Sequence, residues 1–161
     1  MLKALGIFVI GGLLGTGFGF AVGIFVYPYI FLADIVGTEA VPTGAGTVLA
    51  RGEFIHADPS DPIHYGKGRM TAYQGVLHLE ADFEVGPGPK FHVYLVPSAE
   101  VTSEAQVEGT MFVDLGRLKA FKGSQNYAIP AGVELSAFGS VVVWCEQFGV
   151  LISPAKLVFE G

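Results

Sequence analysis

The chain carries one cysteine, Cys145, next to the only tryptophan, Trp144, in the run 140–148 (SVVVWCEQF). A single thiol excludes an intramolecular disulfide, a C-x-x-C redox motif and a thiolate-only metal site. Four roles remain: a buried structural thiol, an intermolecular disulfide, a reactive thiolate, or a ligand to a bound group. Most lone cysteines are small hydrophobes in a core, and Val143 and Trp144 favour that reading. Glu146, Gln147 and Gly149 point the other way, because they bring the strand to the surface just after the thiol.

The four histidines are the other candidates. His56 and His64 end a loop that contains Asp58 and Asp61. No tight H-x-x-x-H spacing is present, and both carboxylates precede proline, as turn residues do. Solvated loop residues, and no metal site, are therefore expected. His92 lies in KFHVYLV (90–96), on the side of Tyr94 and opposite Phe91, Val93 and Leu95. His78 shares a side with Glu80 and Asp82 and opposes Leu77 and Leu79. Both are expected on the solvent-facing sides of half-buried strands.

Signatures of a stand-alone enzyme are missing. The chain has no G-x-S-x-G elbow, phosphate loop or H-E-x-x-H, and Asp114, Glu146 and Glu80 cannot be paired as acid and base from sequence. With 9 basic against 15 acidic residues and a net charge of −6, the chain lacks the basic footprint that nucleic acid requires.

The elements that must position these groups begin with the apolar run 4–33, uncharged and flanked by Lys3 and Asp34. A helix of about 20 residues crosses a bilayer core, so residues 4–26 suffice and Pro28 is expected to end or kink the helix. Tyr27 and Tyr29 fall where interface aromatics belong. A cleaved signal peptide calls for an apolar stretch of about 7–15 residues and a small-x-small site, and neither is present. The reading is an uncleaved signal anchor over 1–33 in the plasma or inner membrane. The amino terminus and Lys3 stay inside, and the domain after Asp34 and Glu39 is extracytoplasmic. Gly11, Gly15, Gly19 and Gly23 form a small-residue stripe along this helix. It either lets two copies pair, as in G-x-x-x-G dimers, or reflects the frequency of glycine in membrane helices.

Residues 34–46 read as a small-residue linker, and 47–161 as the extracytoplasmic domain. Strands are expected over 47–56 (bent at Gly52), 68–73, 76–83, 90–96, 111–115, 127–129, 140–148, and 150–152 with 157–159. Gln74-Gly75 is a hairpin turn, 86–89 (GPGP) a hard break, and 98–108 a loop or at most one helical turn. In 140–148 both strand faces are apolar, so this strand is expected to be central and buried on both sides. The pattern implies an all-β antiparallel β-sandwich of about eight to ten short strands, with a barrel as the alternative.

With the strands laid out, ordered motifs become visible. They are His64-x-Gly66-x-Gly68, Gly88-Pro89 with His92-Val93-Tyr94-Leu95, Asp114-Leu115-Gly116 with Leu118-Lys119, and Gly123-x-Gln125-Asn126-Tyr127-x-Ile129-Pro130. Val141-Val142-Val143-Trp144-Cys145 follows, with Phe148-x-Val150 and Ala155-x-Leu157. Together they resemble the DM-thirteen domain over residues 52–157. Ala120-Phe121 departs from the pattern, standing where a Gly-Asn-like turn is expected. The resemblance implies a β-sandwich with electron transfer at a cell surface, and places the family's cysteine at Cys145. That thiol acts either bare or by holding a prosthetic group such as haem. For a haem, Cys145 with His92 or His64 is the axial pair the resemblance implies, since thiolate and imidazole both ligate iron. Covalent C-x-x-C-H attachment is excluded by the single cysteine. Two functions follow: a membrane-anchored redox module centred on Cys145, or a non-catalytic surface domain that binds a ligand or partner and buries the thiol as packing.

Overall fold

The computed structural model describes residues 2–161. The side chain of Tyr29, expected at the membrane interface, lies outside the described residues. Helix α1 spans Leu2–Tyr27, buries none of its residues, and is followed by a π-helical turn over Pro28–Leu32. By length and composition the pair is one helix able to cross a membrane. The α-helix ends at Tyr27, just before Pro28, and the coil continues as a π turn. The proline removes an N–H and crowds the carbonyl four residues back, and the wider π turn that begins at Pro28 accommodates both.

Among the described residues, eleven strands follow. They are β1 (Val36–Thr38), β2 (Val48–Phe54), β3 (Gly66–Tyr73), β4 (Val76–Leu79), β5 (Glu84–Val85) and β6 (Phe91–Val96). After a one-turn helix, α2 (Ala105–Glu108), come β7 (Val113–Arg117), β8 (Lys122–Ala128), β9 (Ser140–Cys145), β10 (Val150–Lys156) and β11 (Val158–Phe159). They form one hydrogen-bonded path, β1-β8-β4-β3-β2-β10-β9-β6-β7, with β11 on β2 and β5 on β3 and β8. All pairings are antiparallel except β1 with β8. The count exceeds the expected eight to ten because β1, β5 and β11 are two or three residues long. Segments that short carry no readable alternation.

One of these short strands, β1, lies where the sequence reads as linker. In 34–46, β1 pairs with Lys122–Ser124, and Glu39 accepts from Lys119 Nζ at 2.8 and 3.0 Å and from the Asn126 N–H at 2.8 Å. The small residues there serve close approach. A Cβ on Gly37 would stand 2.6 Å from the Ser124 carbonyl oxygen. The departure at Ala120-Phe121 has a similar explanation. The buried Gln125 amide accepts from the N–H groups of Lys119 and Ala120 and donates to the Ala120 carbonyl, so a side chain closes the turn.

Strand β9 lies between β10 and β6, and all six of its residues are buried. Val141, Val143 and Cys145 join the main core with Phe91, Val93 and Leu95 of β6. That core also takes Phe54, Met70, Leu77 and Tyr127, which come from the other half of the strand path. Val142 and Trp144 face a second cluster containing Tyr94, Val96, Val101, Val107 and Leu151. Segment 97–110, with α2 as its single helical turn, covers this face. Gln106 fastens the segment by accepting from the Thr102 and Ser103 N–H groups. Trp144→Ala is expected to lower stability by about 3–5 kcal/mol, whereas Val158→Ala on the exposed β11 should stay within about 0.5 kcal/mol. Denaturant titration of both variants measures the contrast.

Candidate functional site

Because side chains alternate across a strand, β9 divides the candidate chemistry between two faces. Cys145 ends the strand on the core side. It pairs with Phe91 and is 1% exposed, and its thiol donates to the Pro89 carbonyl at 3.3 Å. The chain then turns away through residues 146–149, closed by a 2.9 Å bond from the Gly149 N–H to the Cys145 carbonyl. Gly149 sits at φ +64, a conformation glycine adopts without strain. Burial pushes the thiol pKa up, with the backbone amides of Phe148 and Gln147 partly offsetting it. The sulfur is therefore a protonated, shielded thiol at neutral pH and lacks the electropositive setting of a reactive thiolate.

Just beyond this sulfur lies a mostly apolar cleft of about 490 Å³ between α1 and the domain. Gly23, Tyr27 and Pro28 line one wall, and Pro89, Arg117 and Gln147 the other. Phe25 of α1 stacks on Phe148 with ring centroids 5.5 Å apart. Pro89 thus caps the thiol and also borders the cleft.

The other face holds a polar cluster. His92 pairs with Trp144 across the ladder, one register position from the Phe91–Cys145 pair. Its Nδ1 lies 3.0–3.1 Å from both Asp114 carboxylate oxygens and its Nε2 3.4 Å from Glu146 Oε2. The Tyr94 hydroxyl donates to Glu146 Oε1 at 2.8 Å, and burial, followed by this carboxylate, raises the tyrosine pKa. Tyr94 also stacks on Phe112 at 4.4 Å. A groove of about 510 Å³ opens alongside, lined by Lys90, Glu108, Phe112, Trp144 and Glu146.

His92 and Cys145 therefore project to opposite sides of the sheet, and the structure does not bring them to one iron. His64 belongs to neither strand. Its Nδ1 lies 2.6 Å from Asp61 Oδ2, in the loop between β2 and β3. Cys145 and His92 do not fit an axial cysteine–histidine pair. The loop itself is built from turn contacts, with Asp58 accepting from Ser60 and Asp61 accepting from the Ile63 and His64 N–H groups. His56 is held by the Asp61 carbonyl at 2.8 Å.

His78 corrects the expectation of a solvent-facing ring. It is 4% exposed, with Nδ1 2.7 Å from Asn126 Oδ1. Strand β4 lies between β3 and β8, so Thr71 and Asn126 flank the ring in register and close it off from water. Asp114 and Glu146 are the residues that sequence reasoning left unpaired. Glu146 shares the parity of Trp144, which was visible. That His92 lies between the two carboxylates depends on the β7–β6–β9 order and on a register shift at Val93/Tyr94, which no local pattern encodes.

A strand-rich domain with this cysteine-bearing central strand is of the class whose family model, electron transfer DM13, matches residues 60–157. The chain belongs to that family. No curated protein and no solved structure matches the chain.

The loop yields a pH prediction. The His64 side chain, followed by the Ile63 and His64 N–H groups, lowers the Asp61 pKa from 3.8 to about 2. A depressed carboxylate pKa adds stability above its unfolded value, and that stability is lost as pH falls through the folded value. The contribution should be complete above about pH 5, falling as pH passes through about 2 and gone near pH 1. An NMR titration of the Asp61 carboxyl carbon should have its midpoint near 2, and Asp61→Asn should remove this part of the acid sensitivity. A midpoint at the ordinary value would show that the His64 contact is not made in solution.

Proposed function

We propose that the chain is a single-pass, membrane-tethered electron-transfer module whose redox group is the Cys145 thiol. The observation carrying this reading is that the family match spans β9, where the chain's one thiol ends the central strand against Pro89, a residue that borders the cleft beside α1. In this reading α1 is a signal anchor with Lys3 on the cytoplasmic side. The sheet, folded as a sandwich around the main core, lies outside the cytoplasm. A core shared by strands distant in the path supports that layering.

The chemistry needs Pro89 or the 146–149 turn to lift, so that the thiol can lose its proton to water. The Cys145 thiolate then attacks a disulfide of a partner. One S–S bond forms and one breaks, and the partner's second sulfur leaves as thiolate. A dithiol donor then displaces the partner's remaining sulfur from Cys145 and closes its own disulfide, releasing the Cys145 thiolate, so that two electrons pass from the donor dithiol to the partner's disulfide. The rate should climb with pH beyond the ordinary thiol value near 9, because burial raises the pKa.

A second reading has a specific observation in its favour. Exposure of 1% and an upward pKa shift suit a structural thiol in a non-catalytic domain that binds a ligand or partner. Glutathione disulfide separates the two. Intact-mass measurement of the native full chain is expected to show a reversible glutathione adduct, absent in Cys145→Ser. A native chain that stays unmodified while the unfolded chain reacts fully would establish the second reading.

A further inference from the structure

The cluster on the far side of β9 from the thiol places an imidazole between two carboxylates. Ionised Asp114 only accepts, so the His92 Nδ1 that lies 3.0–3.1 Å from its two oxygens carries a proton. The Gly116 N–H donates to Asp114 Oδ1 at 2.8 Å and fixes this carboxylate. In neutral imidazole the other nitrogen, Nε2, is then a bare lone pair. It faces Glu146 Oε2, another acceptor, at 3.4 Å. The second Glu146 oxygen is already taken by the Tyr94 hydroxyl. Two acceptors this close repel unless a second ring proton or a metal cation lies between them.

The spacing taken with the imidazole ligand indicates the kind of cation. A shared proton draws N and O to about 2.7–3.2 Å, closer than this pair. Zinc-like bonds of about 2.0–2.2 Å at a tetrahedral angle of about 109° put two ligand atoms about 3.4 Å apart. The right angles of an octahedral ion at similar bond lengths put them at about 3.0 Å. Charge agrees, since two carboxylates around a neutral imidazole match a dication. Glu108 adds a further carboxylate to the adjoining groove, against the single cation Lys90. The His92 and Glu146 side chains are 16% and 30% exposed, so the position is partly shielded yet open to water ligands on the groove side. One ligating atom from each of His92, Asp114 and Glu146 falls within 4.8 Å of the others.

We propose that His92 Nε2 and Glu146 Oε2 ligate a tetrahedral first-row dication of the zinc type, with Asp114 as the positioning residue that holds the imidazole in its ligating tautomer. Water completes the coordination. This carboxylate–imidazole–metal arrangement is how outer partners orient a metal-bound histidine. The site stands on the face opposite Cys145, so its success or failure is independent of the thiol chemistry.

The test uses the full chain in detergent, stripped with chelator. Calorimetric titration with Zn²⁺ is expected to give one saturable site, and Co²⁺ to give the intense visible bands of tetrahedral coordination. Glu146→Gln and His92→Ala should abolish that site. Asp114→Asn should weaken it roughly 10–100-fold. His56→Ala, in the distant loop, should leave the titration unchanged. Glu146 lies in a surface turn, so Glu146→Gln decides the matter even if His92→Ala misfolds. Absence of saturable binding in the unmodified chain, unaltered binding in Glu146→Gln, or equal loss in His56→Ala would each overturn the assignment.

Discussion

Burial of β9 on both faces is the constraint on which the rest of the structure depends. A strand whose six residues are all covered needs a hydrophobic layer on each side and a hydrogen-bonded neighbour at each edge. Strands β10 and β6 supply the edges. The main core covers Val141, Val143 and Cys145, and segment 97–110 covers Val142 and Trp144. Without that segment the sheet would expose a tryptophan and a row of valines at its centre. An otherwise irregular, acidic stretch is thereby tied to the fold, with Val101 and Val107 as its anchors.

The same alternation decides which groups can act together. One residue of register separates Cys145 from the position facing His92, and in a strand that is the difference between the two sides of the sheet. The thiol side is apolar and keeps the sulfur protonated beneath Pro89. The histidine side gathers Asp114, Glu146 and Tyr94 around a partly shielded ring. The proposed thiol chemistry and the proposed ion site therefore lie on opposite faces of the sheet formed by β6 and β9.

What the sequence made legible follows from the range of each signal. The apolar run of α1, the Gln74-Gly75 hairpin and the doubly apolar β9 are local patterns, and each forms as its residues imply. Even the single turn of α2 is consistent with its stretch. Strand β1 was not legible, because Gly37 is there for its closeness to Ser124, far away in sequence. Nor was the burial of His78, which comes from Thr71 and Asn126 on neighbouring strands. The candidate site divides in the same way. Cys145 stands out by its uniqueness, whereas the Asp114–His92–Glu146 grouping exists only once β7, β6 and β9 are placed in order. Pairing partners are non-local, and sequence spacing does not contain them.

The redox account requires the sulfur to become reachable without unfolding the sheet that buries it. Pro89 and the 146–149 turn cover it at the strand's end, so their opening should be a local event of low free energy. The most direct measurement is the rate at which Cys145 in the native full chain reacts with a maleimide as denaturant is raised through sub-denaturing concentrations. The account predicts a rate that is nearly independent of denaturant and far above the global unfolding rate. A rate that follows global unfolding, with its full denaturant dependence, would contradict it and leave Cys145 as a packing residue of the core.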